Sequence, residues 1–197
     1  MAAWACGLAG RGSWYKCTMR PVLPLGLLAL ALGCSFDASG ITESGGGWTF
    51  SMNSRRRQLT PWSNDPVSDP ISDVLYLRDE ENGELWSATP APLGEGVAHV
   101  VRHAPGRSVF QHEDRGIRSE LTLGMIDGTA IRVSRLRLTN TGAAARRLSV
   151  TAYVEWTLGV LREQTQHHVR TEFVPELNAI LARNPFNPEF ADRVAFC

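Results

Sequence analysis

The sequence has no cysteine between Cys34 and Cys197. The other two, Cys6 and Cys17, also fall near the N-terminus, and no C-x-x-C pair occurs. Neither a zinc site nor a disulfide framework is indicated, so the middle of the chain must stand on an apolar core. Lysine is almost missing as well. Lys16 is the only one, and the remaining basic side chains are arginine. That skew reads as coding bias, so a single arginine carries little weight by itself. No charge of one sign is in excess, with 20 Lys and Arg against 20 Asp and Glu. A nucleic acid or an anionic membrane would want a basic surplus, so neither is an expected partner. No apolar run approaches the roughly 20 residues of a spanning helix. No Gly-x-Ser-x-Gly elbow occurs, and no stretch holds helical spacing beyond about three turns.

What is present divides into two unlike parts. Residues 1–20 carry Arg11, Lys16 and Arg20, and "PVLPLGLLALALGC" follows from Pro21 to Cys34. A basic stretch, a short apolar run and small residues make up the grammar of a secretory signal. "ALGC" is also like a lipoprotein cleavage box, with Ala31 where a leucine usually stands. The same order fits unrelated sequence fused ahead of a domain. The expected division is a signal-like stretch at residues 1–40 and a folded body at 41–197, with the compartment left open.

The body reads as strands. "RRLSVTAYVEWTLG" (146–159) sets Leu148, Val150, Ala152, Val154 and Trp156 on one face and polar residues on the other. "AIRVSRLRLTN" (130–140) alternates too, with one slip at Ser134–Arg135 that predicts a bulge. "NTGAAA" between these two segments predicts that they pair as a long hairpin. "EENGE" (80–84) and "IDGT" (126–129) are further turn signals. Other expected strands are Trp48–Met52, Val74–Arg78, Val97–His103, Val109–His112, Ile117–Met125, His168–Val174, Ala179–Ala182 and Val194–Phe196. Strands at this spacing, with turn chemistry between them, predict an all-β fold: a large antiparallel β-sandwich.

Three segments in order then carry a resemblance. They are "GGGWTFSMNSRRRQLTPWSNDPVSDP…LYLRDEENGELWSATPAP", "RLRLTNTGAAARRLSVTAYVEWTLG" and "LARNPFNPEFADRVAF". Together they resemble the N-terminal β-sandwich (supersandwich) of glycoside hydrolase family 94, also classed as glycosyltransferase family 36. The wording "LTPWSNDPVSDP" looks most like the phosphorylase region of cyclic β-1,2-glucan synthases. The resemblance runs from about Ile41 to Phe196. It implies a partial supersandwich with no catalytic (α/α) barrel. In that family the barrel supplies the general-acid aspartate and most of the site for inorganic phosphate, which is a co-substrate. The implied function is a carbohydrate-binding sandwich, itself non-catalytic. The alternative is a free-standing exported carbohydrate-binding module. The implied partners are a β-glucan or oligosaccharide, the missing barrel, and in full-length relatives a second copy through the sandwich. No cofactor is implied. The location is cytoplasmic or inner-membrane-associated by resemblance, and exported or lipid-anchored if residues 1–34 act as a signal.

The loop "TPWSNDPVSDP" (60–70) is the candidate site. Trp62 is able to stack on a pyranose face, Asn64, Asp65 and Asp69 to bond sugar hydroxyls, and Arg57 to face a phosphate or carboxylate. Pro61, Pro66 and Pro70 limit the entropy lost on binding. Trp62 fits equally well as a plug for the end of the sandwich, and Asx residues before prolines also initiate turns without a ligand. Glu113, Asp114, Glu120, Glu155, Glu163 and Glu172 form no recognisable acid pair of the kind a glycosidase needs. His167 and His168 point to opposite faces of a strand and chelate poorly. With sandwich strands missing, Val150, Val154 and Trp156 are expected to be only half covered.

Overall fold

The computed structural model describes residues 4–8, 15–19, 27–33, 37–62, 67, 69–94, 96–127 and 129–197. In chain order, β1 (Trp4–Leu8) and β2 (Tyr15–Met19) form a two-stranded antiparallel ribbon. Then come β3 (Leu27–Gly33), β4 (Asp37–Ile41) and β5 (Gly47–Ser51), of which β4 and β5 pair with each other. β6 (Asp73–Asp79) and β7 (Leu85–Ser87) follow, then β8 (His99–Ala104), β9 (Arg107–Asp114), β10 (Ile117–Met125), β11 (Ile131–Asn140) and β12 (Leu148–Val154). A single helical turn, α1 (Arg162–Thr165), precedes β13 (Arg170–Val174), β14 (Ala179–Arg183) and β15 (Ala195–Phe196).

Two sheets make the sandwich. The larger has the order β13-β14-β15-β3-β11-β10-β9-β8, and the smaller β12-β6-β7. Every pairing is antiparallel. Alternation sets the inner faces: along β10, Ile117, Ser119, Leu121 and Leu123 are buried, while Arg118, Glu120 and Thr122 are more exposed. Those apolar residues meet Phe110 and Leu136 from the same sheet and Leu75, Leu77, Trp86 and Val150 from the other. A second core gathers Leu59, Val154, Trp156 and Leu158 against Ala182, Phe190 and Ala195. Val150, Val154 and Trp156 are thus buried, at 8%, 7% and 7% exposure, and not half covered as expected. The strands of both sheets already close over them.

The turns explain the hairpins. Asn82-Gly83 joins β6 to β7, with Gly83 at φ +79 and its amide donating to the Asp79 carbonyl. Arg115 and Gly116, at φ +50 and +72, make the two-residue turn between β9 and β10, where both central positions need the left-handed region. "IDGT" closes β10 onto β11 through Ile126 N to Ile131 O.

Two further expectations fail. β11 and β12 do not form a hairpin: β11 pairs with β10 and β3, and β12 pairs with β6. "NTGAAA" carries the chain from one sheet to the other, held by Asn140 and by Arg146 on Asp79. Nor does β11 have a bulge, since its register with β10 and β3 is unbroken. The apparent slip arose from reading Arg132 as solvent-facing. Arg132 and Ser134 point inward, in phase with Leu136. β3 falls within the apolar run that reads as an export signal.

Candidate functional site

The loop after β5 has two fixed feet. At its first foot, Thr49 N donates to Thr60 Oγ1 at 2.9 Å, and Leu59 N donates to Thr49 O at 2.8 Å. Gln58 exchanges both backbone hydrogen bonds with Gly159, and Thr157 N donates to Leu59 O. Residues 58–60 therefore run pinned between β5 and the segment after β12. At the second foot, the Asp69 carboxylate accepts from Thr42 Oγ1 at 2.7 Å and from Ser44 Oγ. Ser72 Oγ donates to Gly47 O. A Cβ at Gly46 would meet the Asp69 carboxylate and force it to shift. Between the feet Val67 stands 92% exposed.

Trp62 lies at the base of the loop, half-buried. Its ring stacks on Trp48 with centroids 5.0 Å apart and planes at 27°. Trp48 in turn lies over its cross-strand partner Gly40, where a Cβ would sit inside the indole. The order is glycine backbone, Trp48, Trp62. Offset stacking of this kind fixes ring orientation as well as burying area.

The sequence-predicted residues separate accordingly. Trp62 and Asp69 stand at opposite feet of one loop. Arg57 is occupied elsewhere: its guanidinium pairs with Glu189, and Nη1 contacts Met52 Sδ at 2.9 Å. Arg55 and Arg56 are exposed, with their amides on Asn53 Oδ1. Asn64 and Asp65 lie outside the described residues.

Two groups escaped the sequence reading. Arg132 is 1% exposed and pairs with Asp73 across the sandwich interior. Its Nε has no partner among the described residues. A cavity of about 10 Å³ beside it is lined by Gly47, Asp73, Thr89, Leu121 and Ser134, among others. That volume is about one water, too small for a sugar. The second group runs across β8, β9 and β10, where His99, His112 and Ser119 stand directly opposite one another. The two imidazole centroids are 4.3 Å apart, and Ser119 Oγ lies 2.8 Å from His112 Nδ1. Burial, with the His99 charge as a smaller cause, pushes the His112 pKa down to about 4. The signal for both groups was position: each side chain falls on the inward parity of its strand.

Two carboxylates are held below the ordinary range by their partners. The Glu81 amide, and then Arg146, hold Asp79 below the usual carboxylate range. Thr141 and Arg118 do the same for Glu113. A general acid needs a raised value. Among the described residues no three His, Cys, Asp or Glu side chains cluster as metal ligands.

The glycosyl hydrolase 94 supersandwich domain model matches residues 35–197. The chain belongs to the glycosyl hydrolase 94 family. The chain is 29% identical over 157 residues to the cyclic beta-(1,2)-glucan synthase NdvB of Rhizobium meliloti (strain 1021), covering 79% of this chain and 6% of that protein. It is 28% identical over 140 residues to the N,N'-diacetylchitobiose phosphorylase of Vibrio furnissii, covering 70% and 18%. The cellobionic acid phosphorylase of Neurospora crassa is 31% identical over 109 residues, covering 55% and 13%. The chain thus spans less than a fifth of the length of each of these relatives. The glycosyl hydrolase 94 supersandwich includes the whole Trp48–Trp62–Asp69 loop base within its matched range.

Proposed function

We propose that this chain acts as the non-catalytic, carbohydrate-binding sandwich of a β-glucan-processing protein. The loop from Pro61 to Pro70 is its sugar-reaching element and Trp62 is the platform. The observation that carries this reading is the half-buried Trp62, held on Trp48 between two fixed loop feet. A ring set in advance loses little entropy when a pyranose stacks on it. The names of the relatives, a glucan synthase and disaccharide phosphorylases, support a glucan or oligosaccharide as the ligand. Inorganic phosphate is then the co-substrate of a barrel domain, not of the sandwich, and a second copy docks through the sandwich. Asp69 and Arg57 serve the loop and its neighbourhood as internal ties, since their partners are Thr42, Ser44 and Glu189.

The test is a titration of the whole chain with β-1,2-glucan and with cello-oligosaccharides, alongside an assay for sugar phosphate in inorganic phosphate. Saturable binding to one of them without turnover is expected. Turnover above a heat-killed control would refute the non-catalytic part, and absence of binding to either sugar would refute the carbohydrate-binding part. A second reading, a free-standing exported carbohydrate-binding module, is favoured by the basic and apolar order of residues 1–34. N-terminal sequencing of the cellular protein separates the two.

A further inference from the structure

β3 holds a place that no other described strand fills. It pairs with β11 over seven positions, from Leu27 opposite Arg137 to Gly33 opposite Ile131. On its other edge Gly33 meets Phe196 of β15. Without β3 the larger sheet parts into β13-β14-β15 and β11-β10-β9-β8. The edge of β11 would then lie open in the middle of the sandwich, on the strand that brings Leu136 to the first core. An open edge of that length is a template for pairing with another chain. The residues that match the supersandwich begin at 35, so the strand that closes this edge comes from outside them.

The sequence suits the place. "LLALALG" is a continuous apolar run with Pro24 and Gly26 just ahead of it. A short apolar run bounded by Pro and Gly is a pattern that a sheet strand carries, although it does not alternate as β10 does. The same seven residues satisfy the pattern of a leader and the pattern of a strand.

We propose that the gap between β11 and β15 is a one-strand acceptor slot, which this chain fills with its own residues Leu27–Gly33. The pairing is strand addition to an open edge, made intramolecular. Only residues 34–36 separate β3 from β4, so the donor is tethered beside its slot. A short tether gives an effective concentration on the order of millimolar, far above that of a second copy at ordinary protein concentration. The proposal stands on the sheet order and not on the sugar-binding reading, so either fails without the other.

The experiment is hydrogen exchange with sedimentation and intact mass on the full chain, and on Ala29→Pro and Leu30→Pro. Adjacent strand amides point to opposite edges, so at least one proline removes a bond to β11. The native chain is expected to be monomeric, to retain residues 27–33, and to protect 27–33 and 131–137 together by at least about tenfold over free-chain rates. At least one proline variant is expected to lose protection in both segments at once and to self-associate, while β9–β10 amides stay protected. Three results would overturn the proposal. They are free-chain exchange at 27–33 in a monomer that protects 131–137, protection of 131–137 only in a dimer, and a mature chain that starts at or after Cys34 yet remains monomeric.

Discussion

Arg132 and Asp73 meet in the interior of the sandwich, one from β11 and the other from the first residue of β6, so an ion pair joins the two sheets there. Arg132 is 1% exposed, which makes this a buried pair and not a surface decoration. Removing one partner strands the other charge away from water. Arg132→Met is expected to cost about 3–5 kcal/mol. Arg132→Met with Asp73→Asn is expected to recover at least about 1 kcal/mol of that loss. Urea midpoints for the cycle check it, and strictly additive losses would mean the pair does not couple the sheets.

His112 predicts a pH dependence with a defined sign. Its folded pKa is about 4, below the ordinary value of 6.5. Above the unfolded pKa both states are neutral and stability is unaffected. As pH falls towards the folded value, the unfolded chain takes up a proton that the folded chain refuses. Stability then drops, by about 3 kcal/mol over the whole window. Asp79 and Glu113, both held below their ordinary values, add further losses below the carboxylate range. His112→Gln is expected to flatten the fall between pH 6.5 and 4. An unchanged slope in thermal melts of that variant would place the titration elsewhere.

The second foot of the loop is open to a direct test. Asp69→Ala removes the acceptor of Thr42 and Ser44. A loss of about 0.5–1.5 kcal/mol is expected, the range for a hydrogen bond between half-buried groups, since Thr42 Oγ1 keeps the Gly46 carbonyl. Gly46→Ala forces a Cβ into the same carboxylate and is expected to be destabilising in the same direction. If the foot is one unit, Gly46→Ala made on top of Asp69→Ala costs less than it does alone. Equal costs in both backgrounds, read from urea curves, would count against it.

The strands were legible because alternation is local. β10 ends where its sequence pattern ends, and the Asn82-Gly83 turn marks its own hairpin. Partner choice was not legible. Turn residues at 140–145 say that the chain reverses, not which sheet it joins, and β12 took β6, some 70 residues earlier. Arg132 was hidden by its residue type: an inward arginine looks like a break in phase until Asp73 is seen across the core. Trp62 stands out in the sequence, but its partner Trp48 lies on β5, and the sequence does not show the stack. Asp69 also accepts from Thr42 and Ser44, which lie far off in the chain and give no local signal of that contact. The run at 27–33 carries two meanings, and only its pairing separates them.

The central claim is that Trp62 is a sugar platform and not merely a plug. Trp62→Ala in this chain, followed by urea midpoint and glucan affinity on the same preparation, tests it most directly. The ring is half-buried and gives up one aromatic stack, so stability is expected to fall by only about 0.5–1.5 kcal/mol beyond its buried area. Affinity for the glucan is expected to fall about tenfold in a protein that remains folded, equal to about 1.4 kcal/mol of binding energy. A lowered midpoint with unchanged affinity would contradict the account and leave Trp62 as the cover of Trp48 alone.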